Sequence, residues 1–258
     1  EIGRVVALKT LRQGNDAEAH VVRPFLHEAR ITAKLEHPNI VPVYDLGALP
    51  NDEPYYTMRV VKKQSHGDVL DRPALRAQWP LVRLLGAFVQ VCRALAYAHS
   101  RGVLHGDIKP DNILLGDFGE VYLADWGLAR VAPSSEMRRS LGADSAPPPE
   151  FTAPTGGTPG YLAPEVAMGK WDEVDQRSDL FALGVILYEI LTGKHPFGFG
   201  TDYATLLAAY EREPTPPREI APGCPLLLED LCLALLVKTP DKRLVSAGEV
   251  ATQIEQFL

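Results

Sequence analysis

The hydrophobic pattern of the chain changes near residue 61, and this change limits the folds that the sequence can adopt. Before that point the apolar residues form three short runs, at positions 4–11, 40–46 and 55–61. These runs are rich in β-branched and aromatic side chains, which predicts strands. A helix is expected between the first two runs, with Pro24 in its first turn and its end near Leu35.

After residue 61 the apolar residues recur at helical spacing. Four helices are predicted there, at 81–99, 181–191, 226–237 and 246–258. Gly102 ends the first, the second is apolar on nearly all sides as buried helices are, and a capping box of Ser246 and Glu249 opens the last. We therefore expect an α+β fold of two lobes, a small strand-rich one at 1–61 and a larger helical one at 62–258.

Charge and cysteine usage narrow the class of protein. The 26 Lys and Arg residues against 33 Asp and Glu residues give a formal charge of −7, which argues against a nucleic-acid partner. Three cysteines without a Cys-x-x-Cys pair predict free thiols in a reducing compartment, and hence a cytoplasmic location. No apolar run reaches the ~20 residues of a membrane span and no signal peptide opens the chain, so no membrane segment is expected.

A predicted hairpin follows the densest group of polar residues. Residues 113–115 and 121–124 predict two short strands around a turn at 116–119. Pairing that is symmetric about this turn would place Asn112 opposite Asp125, at the open end of the hairpin. An amide oxygen and a carboxylate side by side are ligands suited to Mg²⁺.

Two further side chains of the same loop suit phosphoryl transfer. Asp107 lies five residues before Asn112 and could accept a proton there. Lys109 would lie along the same edge, where its charge could neutralise a transferring phosphoryl group. The loop therefore combines a base, a cation and metal ligands.

The chain resembles a eukaryotic-type protein kinase, of the kind found in bacteria as serine/threonine kinases, and the resemblance covers essentially all 258 residues in the family's order. The matching motifs are Val6-Ala7-Leu8-Lys9, Glu28, the loop at 105–112, Asp125-Trp126-Gly127, the Gly-Thr-Pro-Gly-Tyr-Leu-Ala-Pro-Glu run at 157–165, Asp179 and Arg243. The resemblance implies the fold expected above and an activation segment at 125–165.

The resemblance also implies how ATP and a metal ion would be held. Lys9 would bind the α- and β-phosphates and be oriented by Glu28, while Asp125 and Asn112 would hold Mg²⁺.

The adenine ring would lie between the lobes against Ala7 and Leu114. Met58 would line the back of that pocket, and the backbone of Arg59 and Val61 would supply hydrogen bonds.

By the same resemblance, Asp107 would orient the substrate hydroxyl and accept its proton, while Lys109 offsets charge on the γ-phosphate. The lysine two residues after Asp107 and the Gly-Thr-Pro-Gly-Tyr run are similar to the serine/threonine branch of the family. The expected substrate is therefore a protein that carries a serine or threonine acceptor.

The chain departs from the family pattern at two places. No Gly-x-Gly-x-x-Gly precedes Lys9, so the loop that covers the phosphates is absent; we expect truncation to be the reason, and weakened activity to be the result. Gly106 stands where the family usually has an arginine that gathers a phosphorylated activation segment. We therefore expect phosphorylation of that segment to change activity little.

Two other functions stay open at this point. A truncated kinase domain or pseudokinase could act as a binding module without chemistry. The His-Gly-Asp run followed by Asn five residues after the Asp also resembles a motif of small-molecule phosphotransferases of the aminoglycoside and choline kinase type. They usually lack a counterpart of Lys109 and lack the run at 157–165, so this alternative is weaker.

Several charged or polar residues are better interpreted as structural. Glu165 and Arg243 are expected to form a buried ion pair that anchors the activation segment. Asp179, at the start of a helix, is expected to accept hydrogen bonds from backbone N–H groups of the 105–112 loop. Trp126 and His105 are expected to fill the core.

Overall fold

The computed structural model describes residues 3–11, 19–61, 64–141, 157–198, 210–244 and 246–258. A small strand-rich lobe comes first in the chain and a larger helical lobe follows, which confirms the predicted fold class. The free cysteines Cys92, Cys224 and Cys232 are all buried.

The N-terminal lobe is a three-stranded antiparallel sheet covered by one helix. The strands are β1 (Val6–Thr10), β2 (Val43–Ala48) and β3 (Pro54–Arg59), in the order β1-β3-β2, and the helix is α1 (Ala19–Lys34). Phe25 and Ala29 of α1 pack on Tyr56 of β3 to form a small core of their own. Alternation of exposed and partly buried residues along β1 leaves one face of the sheet for the helix and the cleft.

Two predicted boundaries of this lobe are wrong. The helix α1 already includes Ala19, so Pro24 lies inside it. The φ of proline is compatible with a helix, and a proline this close to the helix start removes only one backbone hydrogen bond. The strand β2 begins at Val43 because Ile40 instead forms a bridge with Leu123 of the other lobe.

The C-terminal lobe is built around two buried helices. Its helices are α2 (His66–Asp71), α3 (Pro73–Arg76), α4 (Leu81–Ser100), α5 (Glu136–Leu141), α6 (Pro164–Ala167), α7 (Gln176–Thr192), α8 (Pro217–Ile220), α9 (Leu226–Leu235) and α10 (Ala247–Phe257). Every residue of α7 from Asp179 to Ile190 is buried, as the apolar run predicted, and α4 packs between α7 and α10. Gly102 follows α4 with a φ of +74°, as predicted for the glycine that ends it.

The helix α4 is the part of the described chain long and apolar enough to cross a membrane, judged by length and composition alone. Within the fold, 56% of its most apolar 18-residue window is buried, and core helices of soluble proteins meet the same criteria.

Short strands of the C-terminal lobe carry the loop between residues 105 and 125. They are β4 (Gln64–Ser65), β5 (Val103–Leu104), β6 (Ile113–Leu115), β7 (Val121–Leu123) and β8 (Arg130–Val131). They form one sheet in the order β4-β6-β7 and a second one of β5 and β8. The linker after α1 joins this lobe, since Asn39 accepts from the Leu123 N–H at 2.7 Å.

The predicted hairpin exists, but its register is shifted by one residue. Ile113 pairs with Leu123 and Leu115 with Val121, so Asn112 lies opposite Ala124 and not opposite Asp125. The turn spans five residues because the N–H of Gly116 bonds the Glu120 carbonyl at 2.8 Å.

Two other local predictions need correction. Ser246 caps α10, but its hydroxyl accepts from the N–H of Gly248, two residues on, whereas a capping box would use Glu249. The predicted activation segment at 125–165 contains the helix α5, and its positions 142–156 lie outside the described residues.

Candidate active site

Lys9 and Glu28 meet in the cleft, as the sequence predicted. Lys9 lies on β1 and its Nζ donates to Glu28 Oε1 of α1 at 2.5 Å. Glu28 is 7% exposed, so its charge is largely removed from water and depends on such donors. The spacing of nineteen residues therefore corresponds to a strand residue and a helix residue that face each other.

Asp125 lies beside this pair. Its Oδ1 is 3.6 Å from Lys9 Nζ, and its side chain remains half exposed. The backbone of Asp125 has a φ of +63°, a left-handed conformation that costs free energy in a residue other than glycine. Such a turn directs the carboxylate away from the β7 strand that precedes it and toward Lys9.

Asp107 lies at the centre of a second group of side chains. Its Oδ1 accepts from the Thr158 N–H at 3.0 Å and from the Thr158 hydroxyl at 3.1 Å. Its Oδ2 accepts from Lys109 Nζ at 2.7 Å and from Asn112 Nδ2 at 3.2 Å. Lys109 also donates to Thr158 Oγ1 at 2.8 Å. The carboxylate is thus buried and fixed in direction by four donors.

Asp179 anchors the loop that carries Asp107 by accepting hydrogen bonds from its backbone, as predicted. The Asp179 carboxylate, near the start of α7, accepts from the N–H groups of His105 and Gly106, both at 2.9 Å, and from His99 Nε2 at 2.8 Å. Burial alone would raise the pKa of Asp179, but its hydrogen bond and electrostatic interaction with His99, with smaller contributions from His105 and Gly106, lower it below the usual value.

Asn112 contacts the Asp107 group through its side-chain amide. Its Nδ2 donates to the Asp107 carbonyl at 2.8 Å as well as to Oδ2, and its own carbonyl accepts from the Ala124 N–H at 2.9 Å. The predicted juxtaposition of Asn112 and Asp125 rested on the wrong hairpin register. The amide group nevertheless keeps Oδ1 for another partner.

Two of the residues predicted to surround adenine, Ala7 and Met58, lie on one face of the N-terminal sheet. Ala7 pairs with Met58 and Lys9 with Tyr56, so these four side chains share a face by the two-residue period of strands. Both Ala7 and Met58 are partly buried.

The remaining three predicted adenine contacts lie at the end of β3 and in the second sheet. Arg59 donates its N–H to the Pro42 carbonyl at 3.1 Å, so only its carbonyl could serve a nucleotide. Val61 follows β3 and is partly buried, and the partly buried Leu114 pairs with Ser65.

The predicted structural residues are buried where the sequence placed them. Arg243 donates from both terminal nitrogens to the Glu165 carboxylate, at 2.8 and 3.1 Å, with both side chains at most 1% exposed. Trp126 is 1% exposed and lies 4.5 Å from the His105 ring between centroids.

Two residues of the site were missed. Tyr56 donates its hydroxyl to Glu28 Oε1 at 2.6 Å, and Thr158 contacts both Asp107 and Lys109. The strand alternation of β1 and β3 would have placed Tyr56 beside Lys9 if their register had been known. Thr158 belongs to the run at 157–165, but a single sequence does not show that its backbone N–H and hydroxyl reach Asp107.

A groove of about 430 Å³ adjoins the Asp107 group, and one of its lining residues, Glu189, has a carboxyl group with a raised pKa. Thr158, Asp71, Asp111, Tyr161 and Glu189 are among its lining residues. Burial raises the pKa of Glu189 to about 8; hydrogen bonds from the Tyr161 hydroxyl oppose this, and the charges of Asp71 and Asp111 add to it. Glu189 is therefore mostly protonated at neutral pH.

This shift makes the stability of the domain depend on pH. Between the ordinary pKa of 4.5 and about 8, the folded state keeps a proton that the unfolded state releases, so the free energy of unfolding falls as the pH rises. Glu189 contributes a slope of up to about 1.4 kcal/mol per pH unit. We expect Glu189→Gln to match the wild type near pH 5 and to be more stable near pH 8. Urea unfolding at both pH values, with the exposed Glu219→Gln as control, measures this; an equal difference at both values would contradict it.

Comparisons with known proteins agree with this arrangement of fold and site. The family model described as the protein kinase domain matches residues 1–255. The chain therefore belongs to the protein kinase family, which confirms the predicted resemblance. The family implies ATP as a substrate and the use of a divalent metal ion.

Individual relatives are bacterial kinases. The chain is 38% identical to the DNA damage-responsive serine/threonine-protein kinase RqkA of Deinococcus radiodurans, over 97% of this chain and 35% of that protein. It is 33% identical to the serine/threonine-protein kinase PknD of Protochlamydia amoebophila, over 99% of this chain and 27% of that protein, and 34% identical to PknD of Chlamydia felis, over 99% and 28%. The chain thus spans about a third of the length of these relatives.

The side chains of the cleft fit a metal ion that is held mainly by other ligands. No group of three or more His, Cys, Asp and Glu side chains suited to a metal occurs in the part of the chain that the structure describes. Asn112 Oδ1 and the half-exposed Asp125 carboxylate are hard oxygen donors. Such a pair suits an ion that completes its shell with phosphate oxygens and water.

Proposed function

We propose that the chain is an ATP-dependent kinase that transfers the γ-phosphate to serine or threonine hydroxyls of a protein substrate. The observation that carries this proposal is the Asp107 carboxylate, fixed by four donors with the Lys109 ammonium 2.7 Å away. A fixed base next to a fixed cation is what transfer of a phosphoryl group to a hydroxyl requires. Membership of the protein kinase family and the serine/threonine-kinase relatives support it.

Each residue of the site then has a defined task. Asp107 orients the acceptor hydroxyl and takes its proton as the oxygen attacks the γ-phosphorus of ATP, while the bond to the β–γ bridging oxygen breaks and ADP leaves. Lys109 stabilises charge on the transferring group, and Lys9, held by Glu28, binds the α- and β-phosphates. Asn112 and Asp125 would hold the metal ion, which when bound neutralises phosphate charge.

We further propose that this ion is Mg²⁺ and that the protein acts in the cytoplasm. The two hard oxygen ligands support Mg²⁺, which binds few protein ligands and keeps water and phosphate oxygens. Three buried thiols support a reducing compartment. The acidic formal charge supports a protein, and no nucleic acid, as the partner.

The test is transfer of labelled γ-phosphate from Mg·ATP to the chain itself and to a generic basic protein, followed by identification of the labelled amino acid. Label on serine or threonine supports the proposal. Choline and an aminoglycoside serve as competing acceptors, and label on either one instead would support a small-molecule phosphotransferase. Binding of Mg·ATP without transfer to any acceptor would contradict the proposal and favour a binding module.

Phosphorylation of the segment after Asp125 is expected to change turnover little. Gly106 supplies no side chain that could bind a phosphate, and its φ of +78° disfavours any other residue there. A Cβ at this position would also lie 2.7 Å from the Leu128 carbonyl oxygen. The turnover of phosphorylated protein and that of phosphatase-treated protein should therefore agree within a few-fold. Loss of a positioned catalytic acid or base, by comparison, lowers a rate by ~10²- to 10⁴-fold. A drop of about tenfold or more on dephosphorylation would contradict this expectation.

A further inference from the structure

Tyr56 lies where the N-terminal sheet, the helix α1 and the Lys9–Glu28 pair meet. It is the cross-strand partner of Lys9 in the antiparallel pair of β1 and β3, so both side chains emerge on the same face. Tyr56 is only 3% exposed, and Lys9 Nζ lies 5.7 Å from the centroid of its ring. The residue is thus a buried neighbour of the cation that would bind phosphates.

The Tyr56 hydroxyl and the Lys9 ammonium share one acceptor. Both donate to Glu28 Oε1, the hydroxyl at 2.6 Å and the ammonium at 2.5 Å. Glu28 is 7% exposed, so the neutral hydroxyl supplies part of the solvation that the carboxylate has lost. Hydrogen bonds to a charged acceptor are about twice as strong as neutral ones.

The ring of Tyr56 also contacts the apolar side of α1. Its centroid lies 5.2 Å from that of Phe25, and Ala29 completes the small cluster. Phe25, Glu28 and Ala29 lie three and four residues apart, on one face of the helix. Tyr56 therefore touches the same helix face twice, through its ring and through its hydroxyl.

Lys9 has a second anion within reach. Asp125 Oδ1 is 3.6 Å from Lys9 Nζ, so the ammonium can be divided between Asp125 and Glu28. Only the Glu28 pairing ties β1 to α1. A second donor to Glu28 holds this carboxylate even when Lys9 turns toward Asp125. It thus favours the position of α1 in which Lys9, Glu28 and Asp125 lie together.

We propose that Tyr56 is a positioning residue whose hydroxyl holds Glu28, and with it α1, in the orientation that directs Lys9 into the cleft. This inference rests on the proposed function for its effect on catalysis, while the position of α1 can be measured without it. Burial and the hydrogen bond and charge of Glu28 raise the pKa of Tyr56 far above its usual value, so the hydroxyl keeps its proton across the working pH range.

Tyr56→Phe removes the hydroxyl and keeps the ring. We expect kcat/KM for ATP to fall about tenfold or more, the size expected for losing a hydrogen bond to a charged group, with KM for the acceptor protein unchanged. Amide hydrogen exchange of α1, measured without nucleotide, should become faster, while that of α4 stays as in the wild type. A merely structural role of the ring would move none of these readouts, because the ring is retained.

The neighbouring Tyr55→Phe is the matched control. Tyr55 alternates to the other face of β3, where its hydroxyl lies 3.4 Å from Asp45 Oδ2, so this variant should behave as the wild type. In a Glu28→Gln background, Tyr56→Phe should cost much less than it does alone, because the two residues act through one contact.

The outcomes separate the two proposals. Equal α1 exchange in Tyr56→Phe and the wild type would overturn the inference, whatever the activity of the wild type. Independent, multiplicative losses for Tyr56→Phe and Glu28→Gln would overturn it as well. Absence of transfer by the wild type would instead overturn the proposed function, and faster α1 exchange in Tyr56→Phe alone would still support the positioning role.

Discussion

Asp107→Asn is expected to lower kcat by about 10²- to 10⁴-fold, the range over which a positioned general base contributes to rate. The substitution keeps the size of the side chain and removes its charge. One oxygen becomes an amide nitrogen, which cannot accept from the donors that surround it. It would face either the Thr158 N–H and hydroxyl or the Lys109 ammonium and the Asn112 amide. Both the proton acceptor and the fixed geometry are lost together.

The loss should appear in turnover and not in nucleotide affinity. Lys9 and Asp125 belong to the other group of side chains and are not bonded to Asp107, so Mg·ATP should bind Asp107→Asn about as well as the wild type. Asp117→Asn, at the exposed turn of the β6–β7 hairpin, is the matched control and should retain full turnover. Steady-state kinetics with labelled ATP measure all three proteins. Turnover above a tenth of the wild type in Asp107→Asn would show that Asp107 is not the base.

The sequence predicted the two groups of charged residues but not how they divide. Hydrophobic periodicity located β1, β3, α4 and α7, because each is set by its own burial pattern. The hairpin register was off by one residue, since the turn between β6 and β7 depends on the Gly116–Glu120 backbone contact and on the Glu120 carboxylate, which accepts from the Phe118 N–H at 2.9 Å. That single shift places Asn112 opposite Ala124, and the Asn112 side-chain amide donates to Asp107.

Contacts between distant elements were the least predictable part of the site. The Lys9–Glu28 contact was predicted from motif spacing, whereas the Tyr56 contact depends on the pairing of β1 with β3, which a single sequence does not specify. The Thr158 contacts depend on how residues 157–165 return to the 105–112 loop. Ile40 was assigned to a strand by its residue type, although its bridge to Leu123 links the two lobes.

Arg243→Met is expected to destabilise the fold by about 3–5 kcal/mol, because removing one partner of a buried ion pair leaves the other charge unpaired. Among the described residues, the Glu165 carboxylate would keep the Ser178 hydroxyl, at 2.7 Å, as its donor. Arg243 also donates to the carbonyls of Arg177 at 2.6 Å, Val237 at 2.9 Å and Lys238 at 3.2 Å. The variant therefore removes the donor for three carbonyls as well as the counter-charge.

A surface ion pair of the same lobe provides the comparison. Asp241, whose side chain is 87% exposed, lies 2.6 Å from Arg177, and Asp241→Asn should cost no more than about 1 kcal/mol because water screens such pairs. Urea unfolding of both variants gives the contrast, and similar midpoints would contradict it. Replacing Glu165 and Arg243 together by methionine should restore part of the loss, since no charge is then buried alone, although the three carbonyls stay without their donor. Because Glu165 ends the run that carries Thr158, Arg243→Met should also loosen the contact of Thr158 with Asp107 and lower turnover in the protein that remains folded.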